Sequence, residues 1–110
     1  MFVMTRTMNV EKGSSEKVIE RFRAESPIDQ MEGLVDISVL VNRKSTEHEE
    51  VVVIIRWESQ EAWKNWEKSD AHIQGHKNSR GQQPPSHILS TTVQLYDAKV
   101  VKKGQAYPNV

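Results

Sequence analysis

Residues 34–57 read LVDISVLVNRKSTEHEEVVVIIRW, and the way this stretch divides decides the fold. Its first eight residues alternate, with Val35, Ile37, Val39 and Val41 on one face and Asp36 and Ser38 on the other, the period of a half-buried strand. The polar run NRKSTEHEE turns the chain, and VVVIIRW follows as a second strand. From Val51 to Ile55 that strand is apolar throughout, which predicts cover on both faces of its sheet.

Upstream, FVMTRTMNV (residues 2–10) places Phe2, Met4, Arg6, Met8 and Val10 on one face of a further strand, with Arg6 interrupting an otherwise apolar side. GSSEKVIERFRAE (residues 13–25) then reads as a helix. Ser14 or Ser15 serves as its cap, Val18, Ile19 and Phe22 form its inward stripe, and Ser26-Pro27 is its stop. Downstream, Ser59 caps a second helical stretch. The proline-bearing loop KNSRGQQPPSH (residues 77–87) separates it from a last strand, ILSTTVQLYDAKVV (residues 88–101). The order β-α-β-β-α-β predicts one α+β domain over residues 1–110, a ferredoxin-like antiparallel sheet with two helices on one face. Two helices leave the other face bare, and the cheapest cover is a second copy across a two-fold axis, so the expectation is a homodimer whose sheets meet. The tail KKGQAYPNV (residues 102–110) is expected to be loosely ordered.

Composition narrows the function. Of 110 residues, 15 are Lys or Arg and 15 are Asp or Glu, giving no net charge and no long block of either sign. Nothing steers the chain toward nucleic acid or anionic lipid. MFVMTRTMNV is too polar for a signal peptide, and no stretch approaches a membrane span, so the expected location is the cytoplasm. The absence of cysteine removes disulfides, thiolate zinc sites, cysteine-held iron–sulfur clusters and covalent haem attachment. Any metal must be held by histidine or oxygen donors.

The chemistry-bearing residues gather in AWKNWEKSDAHIQGHK (residues 62–77). Trp63 and Trp66 are helix neighbours; Trp63 reads as core, while Trp66 is open to either a core or a pocket role. His72 and His76 are four apart, a spacing that can bind one metal, but HIQGH lacks the glutamate that a zinc protease needs after its first histidine. His72 reads as a surface side chain. His76 has Gly75 beside it to leave room, Lys77 as a nearby cation, and a loop after Asn78 that could close over a ligand. On an unbroken helix Trp66 and His76 would be about 15 Å apart, but Ser69 can end one helix and cap the next, and a kink there lets both face one wide pocket. A porphyrin is wide enough, and its iron takes a neutral histidine. For Arg6 two readings stand: an ion pair with a carboxylate at the sheet end, or a contact to a ligand in the pocket. Asn9 faces the opposite side, and His48 and His87 read as incidental turn residues.

At WESQEAWKNWEKSDAHIQGHK (residues 57–77) the sequence resembles the IsdG and HmoA family of haem-degrading monooxygenases, within the antibiotic biosynthesis monooxygenase superfamily of dimeric α+β barrels. The likeness extends over nearly the whole chain, and the register of Trp66, Ser69, Asp70 and the histidines after them is its most specific part. It implies His76 as axial ligand to haem iron and Trp66 as the wall that distorts the porphyrin. Haem would be both substrate and cofactor, opened to a linear tetrapyrrole with loss of iron, given O2 and an external electron donor. Where staphylococcal members carry a catalytic asparagine, this chain has Arg6, which brings a fixed charge and only donors, so its implied role is a distal or propionate contact. No glycine-rich nucleotide motif is present, so electrons would come from a separate reductase or reductant. The alternatives are a cofactor-free monooxygenase acting on an aromatic polyketide or quinol, and a haem carrier without chemistry.

Overall fold

A computed structural model of the chain describes residues 1–44, 46–79 and 85–107, with the backbone alone at residues 78 and 79. The strands are β1 (Phe2–Glu11), β2 (Leu34–Val41), β3 (His48–Trp57) and β4 (Ile88–Asp97). The helices are α1 (Ser15–Arg23), α2 (Gln60–Lys68) and α3 (Asp70–Ser79), with a short 3-10 helix at Pro27–Gln30. The four strands form one sheet in the order β2-β3-β1-β4, antiparallel at every junction. This is the ferredoxin-like α+β arrangement that the sequence predicts, with its second helix broken in two.

The core lies between the helices and the inner strands. Phe2, Met8 and Val10 of β1, Val51, Val53, Ile55 and Trp57 of β3, and Val18 of α1 are buried, and each such side chain contributes about 1.5–3 kcal/mol by leaving water. Register pairs Phe2 with Trp57 and Met8 with Val51, so the alternating positions of both strands share one face. Trp63 packs its ring 5.0 Å from that of Phe2, which docks α2 on the sheet, the core role its spacing predicts. Gly33 lets α2 come this close. Its φ of +90° suits glycine, and a Cβ there would lie 2.5 Å from the Ala62 Cβ.

Several local expectations are corrected. Val35 does not share the face of Ile37 and Val39. The pairing with β3 slips between Leu34 and Asp36, so Leu34 faces the helices opposite Trp57 and Val35 turns outward. Helix α1 ends at Arg23, because Ala24 is already extended; Ser26-Pro27 instead opens the 3-10 helix, where the Ser26 amide donates to Asp29 Oδ2 at 3.0 Å. Ser14 sits at the cap position of α1 without capping through its side chain. The carboxylate of Glu49, from β3, accepts from the amides of Gly13 (2.6 Å) and Ser15 (3.3 Å) instead. Burial alone would raise the Glu49 pKa, but these hydrogen bonds outweigh it and hold the carboxyl below its usual range. Strand β4 stops at Asp97, four residues short of the expected end, and His48 opens β3 instead of lying in a turn.

The helices cover β2, β3 and β1 unevenly and leave β4 largely uncovered. Val93 and Leu95 lie on the helix side, in register with Arg6 and Met4, yet are 46% and 47% exposed. On the opposite face, Val52 and Ile54 are half-buried, with no helix over them. Val3 on that same face is 8% exposed, so this chain supplies the cover that the Val51–Ile55 run predicts fully on the helix side and in part on the other.

Candidate functional site

Helix α2 starts where Ser59 accepts from the Ala62 amide at 3.1 Å, and it ends at Ser69, whose hydroxyl donates to the Trp66 carbonyl at 2.7 Å. The same hydroxyl accepts from the His72 amide at 3.2 Å. Ser69 thus closes one helix and caps the next, the break the sequence predicts. Its extended backbone turns α3 away from the axis of α2, so that Trp66 and His76 line the same cleft.

This cleft, of about 570 Å³, is lined by Arg6 from β1, Ser26 and Pro27 from the 3-10 segment, Trp66 from α2, and Ala71, His72, Gly75 and His76 among the residues of α3. Its size falls within the range of small-molecule and cofactor sites. The three residues singled out from the sequence, Arg6, Trp66 and His76, therefore meet from three separate elements. A Cβ at Gly75 would meet nothing within 4 Å, so the glycine keeps the wall beside His76 open. Lys77 is exposed and does not line the cleft. The loop expected to close after Asn78 falls largely outside the described residues. Asn9 points the other way and donates to Ser90 Oγ at 3.0 Å, as an ordinary cross-strand pair.

Arg6 is the electrostatic anomaly of the site. Among the described residues it has no ion pair, and its Nε is buried without a hydrogen-bond partner. Burial, and next the charge of Arg21, lower its pKa, while Glu67 opposes them. Among the described residues, then, the expected ion pair of Arg6 is not formed, and its buried Nε stands without a partner.

His72 is not the surface side chain that the sequence reading makes it. It is half-buried, with Nε2 lying 2.8 Å from Glu67 Oε2 and 3.0 Å from His76 Nε2. Its ring meets those of Trp66 and His76 edge-on, with centroids 5.0 and 4.4 Å away. Glu67 was not anticipated at all; the available signals were its place next to Trp66 and the four-residue spacing of the histidines it reaches. Among the described residues no group of three or more histidine and carboxylate side chains is gathered to hold a bare metal ion. A metal that brings its own ring of donors needs only one imidazole, which this cleft offers.

Residues 1–78 match the Antibiotic biosynthesis monooxygenase family. The chain is 52% identical over 104 residues to the haem-degrading monooxygenase HmoA of Bacillus subtilis, a match covering 94% of this chain and 96% of the relative. A crystal structure described as a putative antibiotic biosynthesis monooxygenase from Bacillus cereus superposes with a TM-score of 0.80 at 44% identity, covering 94% of this chain and 97% of that one. MhuD from Mycobacterium tuberculosis, described as a haem-degrader with two haems in its active site, aligns with a TM-score of 0.64 over 94% of this chain and all of its own. At 19% identity that likeness speaks to the fold alone. With the family matched over most of its length and a relative more than half identical from end to end, the chain belongs to the antibiotic biosynthesis monooxygenase family, as an HmoA-type member.

Proposed function

We propose that this chain is a haem-degrading monooxygenase that binds haem through His76 and, with O2 and an external electron donor, opens the porphyrin to a linear tetrapyrrole and releases iron. The observation that carries the reading is the convergence of Arg6, Trp66 and His76 on one cleft of about 570 Å³, in a chain 52% identical to a haem-degrading relative. Bound haem would supply both the iron that activates O2 and the ring that is oxidised.

The protein's own contributions follow from the site. His76 would hold the haem iron through its imidazole. Trp66, held at its outer edge by His72, gives the flat macrocycle an indole wall to press against. Arg6, whose buried Nε has no partner among the described residues, would donate to a propionate or to a group on the distal side. Ala71, Pro27 and Gly75 keep part of the lining apolar, which limits water near the reacting centre.

A homodimer is part of the same reading. It is supported by the exposed Val93 and Leu95 beside the strand that carries Arg6, and by the helix-free face bearing Val52 and Ile54. Light scattering at micromolar concentration giving a monomer would remove it. A cytoplasmic location is likewise proposed, from the absence of cysteine and of any described helix long and apolar enough to cross a membrane.

The test is an absorbance titration of the protein with haemin beside His76→Ala, followed by ascorbate in air with catalase to remove free peroxide. Saturable Soret formation that depends on His76, then Soret loss with a bilin-like band and chelatable Fe²⁺, is the expected result. Stable haem under reductant would instead make the protein a carrier. Binding indifferent to His76 would return the cofactor-free monooxygenase.

A further inference from the structure

The geometry points to Glu67 and His72 as the pair that positions His76, fixing which of its ring nitrogens carries the proton and leaving Nε2 bare for a ligand. The consequence for iron rests on the reading of His76 as haem ligand; the pairing itself does not.

The principal contacts of α3 are with α2 and the 3-10 segment, not with the sheet. Beyond the Ser69 hydroxyl, a described tie across the kink is the side chain of His72, wedged against the Trp66 ring and 2.8 Å from the Glu67 carboxylate on α2. His76 stands one turn further along, and its orientation depends on this brace.

Hydrogen-bond chemistry then assigns the protons. His72 Nε2 faces a carboxylate oxygen at 2.8 Å and a second imidazole nitrogen at 3.0 Å. A bare Nε2 would set its lone pair beside the carboxylate charge, so His72 Nε2 carries hydrogen and donates to His76 Nε2, with the Glu67 carboxylate close by as counter-charge. His76 Nε2 cannot also carry a proton along that line. In its neutral form His76 therefore holds hydrogen on Nδ1, the tautomer whose Nε2 can ligate a metal. His72 can surrender that lone pair at small cost, because the Glu67 carboxylate 2.8 Å away still attracts its N–H. Partners that fix the tautomer of a ligating histidine usually bond its other nitrogen; here the control acts on the ligating nitrogen itself before the ligand arrives.

The decisive measurement is long-range ¹H–¹⁵N NMR of the histidine rings in the ligand-free protein at mildly alkaline pH, for wild type, His72→Phe and Glu67→Leu. His72→Phe keeps a ring between Trp66 and His76 but removes the donor; Glu67→Leu removes the anchor and leaves the histidine. Wild type is expected to show His76 protonated at Nδ1, and His72→Phe to show a shift toward the Nε2–H form that free imidazole prefers in water. Glu67→Leu should shift it the same way. In haemin titrations His72→Phe should bind about 10-fold more weakly, the lower end of what loss of a partner that orients a ligand costs, and its ferrous Fe–His Raman band should broaden. A wild-type His76 already protonated at Nε2, or one whose tautomer is indifferent to both substitutions, would overturn the pairing. Because the NMR arm needs no haem, absence of His76-dependent haem binding would sink the haem reading while this arm still decides the pairing.

Discussion

Substituting alanine for Gly33 should cost far more than the same change at Gly13, and the difference isolates one steric contact. Both glycines have φ near +90°, where an alanine is strained by about 1 kcal/mol. A Cβ at Gly13 meets nothing within 4 Å, so Gly13→Ala carries that backbone cost alone. A Cβ at Gly33 would stand 2.5 Å from the Ala62 Cβ, well inside van der Waals contact and against the first turns of α2. Relieving it means moving α2 off the sheet by about an ångström, and overpacking of this kind adds roughly 1–3 kcal/mol. The expected totals are about 1 kcal/mol for Gly13→Ala and about 2–4 kcal/mol for Gly33→Ala. At about 4 °C per kcal/mol for a chain of this size, thermal melts followed by circular dichroism should fall by about 4 °C and by about 8–16 °C. Because α2 carries Trp66, the Gly33 variant should also bind haemin more weakly at temperatures where it is still folded. Equal melting temperatures for the two variants would refute the reasoning, since the contact with Ala62 would then carry no energy.

Replacing Arg6 by Met removes a desolvated cation that lacks an ion pair among the described residues, so the melting temperature should hold or rise while haemin affinity drops about 10-fold, the worth of one charge-assisted hydrogen bond. A drop in stability with unchanged haemin affinity would mean that Arg6 is structural. Gly75→Ala should stabilise α3 by about 0.5–1 kcal/mol, because glycine is a poor helix former, yet weaken haemin binding by placing a methyl on the cleft wall; calorimetric binding and melting curves on the same sample test both signs. Glu49 should make stability fall in acid. Its folded pKa lies below the ordinary 4.5, so its contribution is complete above that value and is lost as pH drops through the depressed one. Glu49→Gln should melt lower at neutral pH and show a flatter acid limb in melts taken down through the carboxylate range.

Much of the architecture could be read from local pattern. Alternation in β1 put Phe2, Met4, Met8 and Val10 on the core side, because a strand's period of two is a property of the backbone. The Ser69 break was legible for the same reason, since a serine that ends one helix and caps the next acts through neighbours within three residues. The outward turn of Val35 follows from a bulge, which pairing with β3 decides and which leaves no mark in LVDISVLV. The capping of α1 is not legible around Ser14, because its acceptor, Glu49, comes from another strand. His72 reads as a surface side chain in the sequence because its carboxylate neighbour lies across the kink, where sequence spacing gives no distance.

By itself, then, the sequence determined the βαββαβ order, the apolar face of each inner strand and the presence of a helix break between Trp66 and His76, all of which follow from interactions between residues near in the chain. Only the tertiary structure decided that Arg6 stands in a cleft with Trp66 and His76, without an ion pair among the described residues, and that Glu67 reaches His72 and through it His76. The reason is physical. Burial of a charge and convergence of side chains depend on how the sheet, α2 and α3 pack, and packing joins residues that are far apart in sequence or whose angle across a kink no local rule sets.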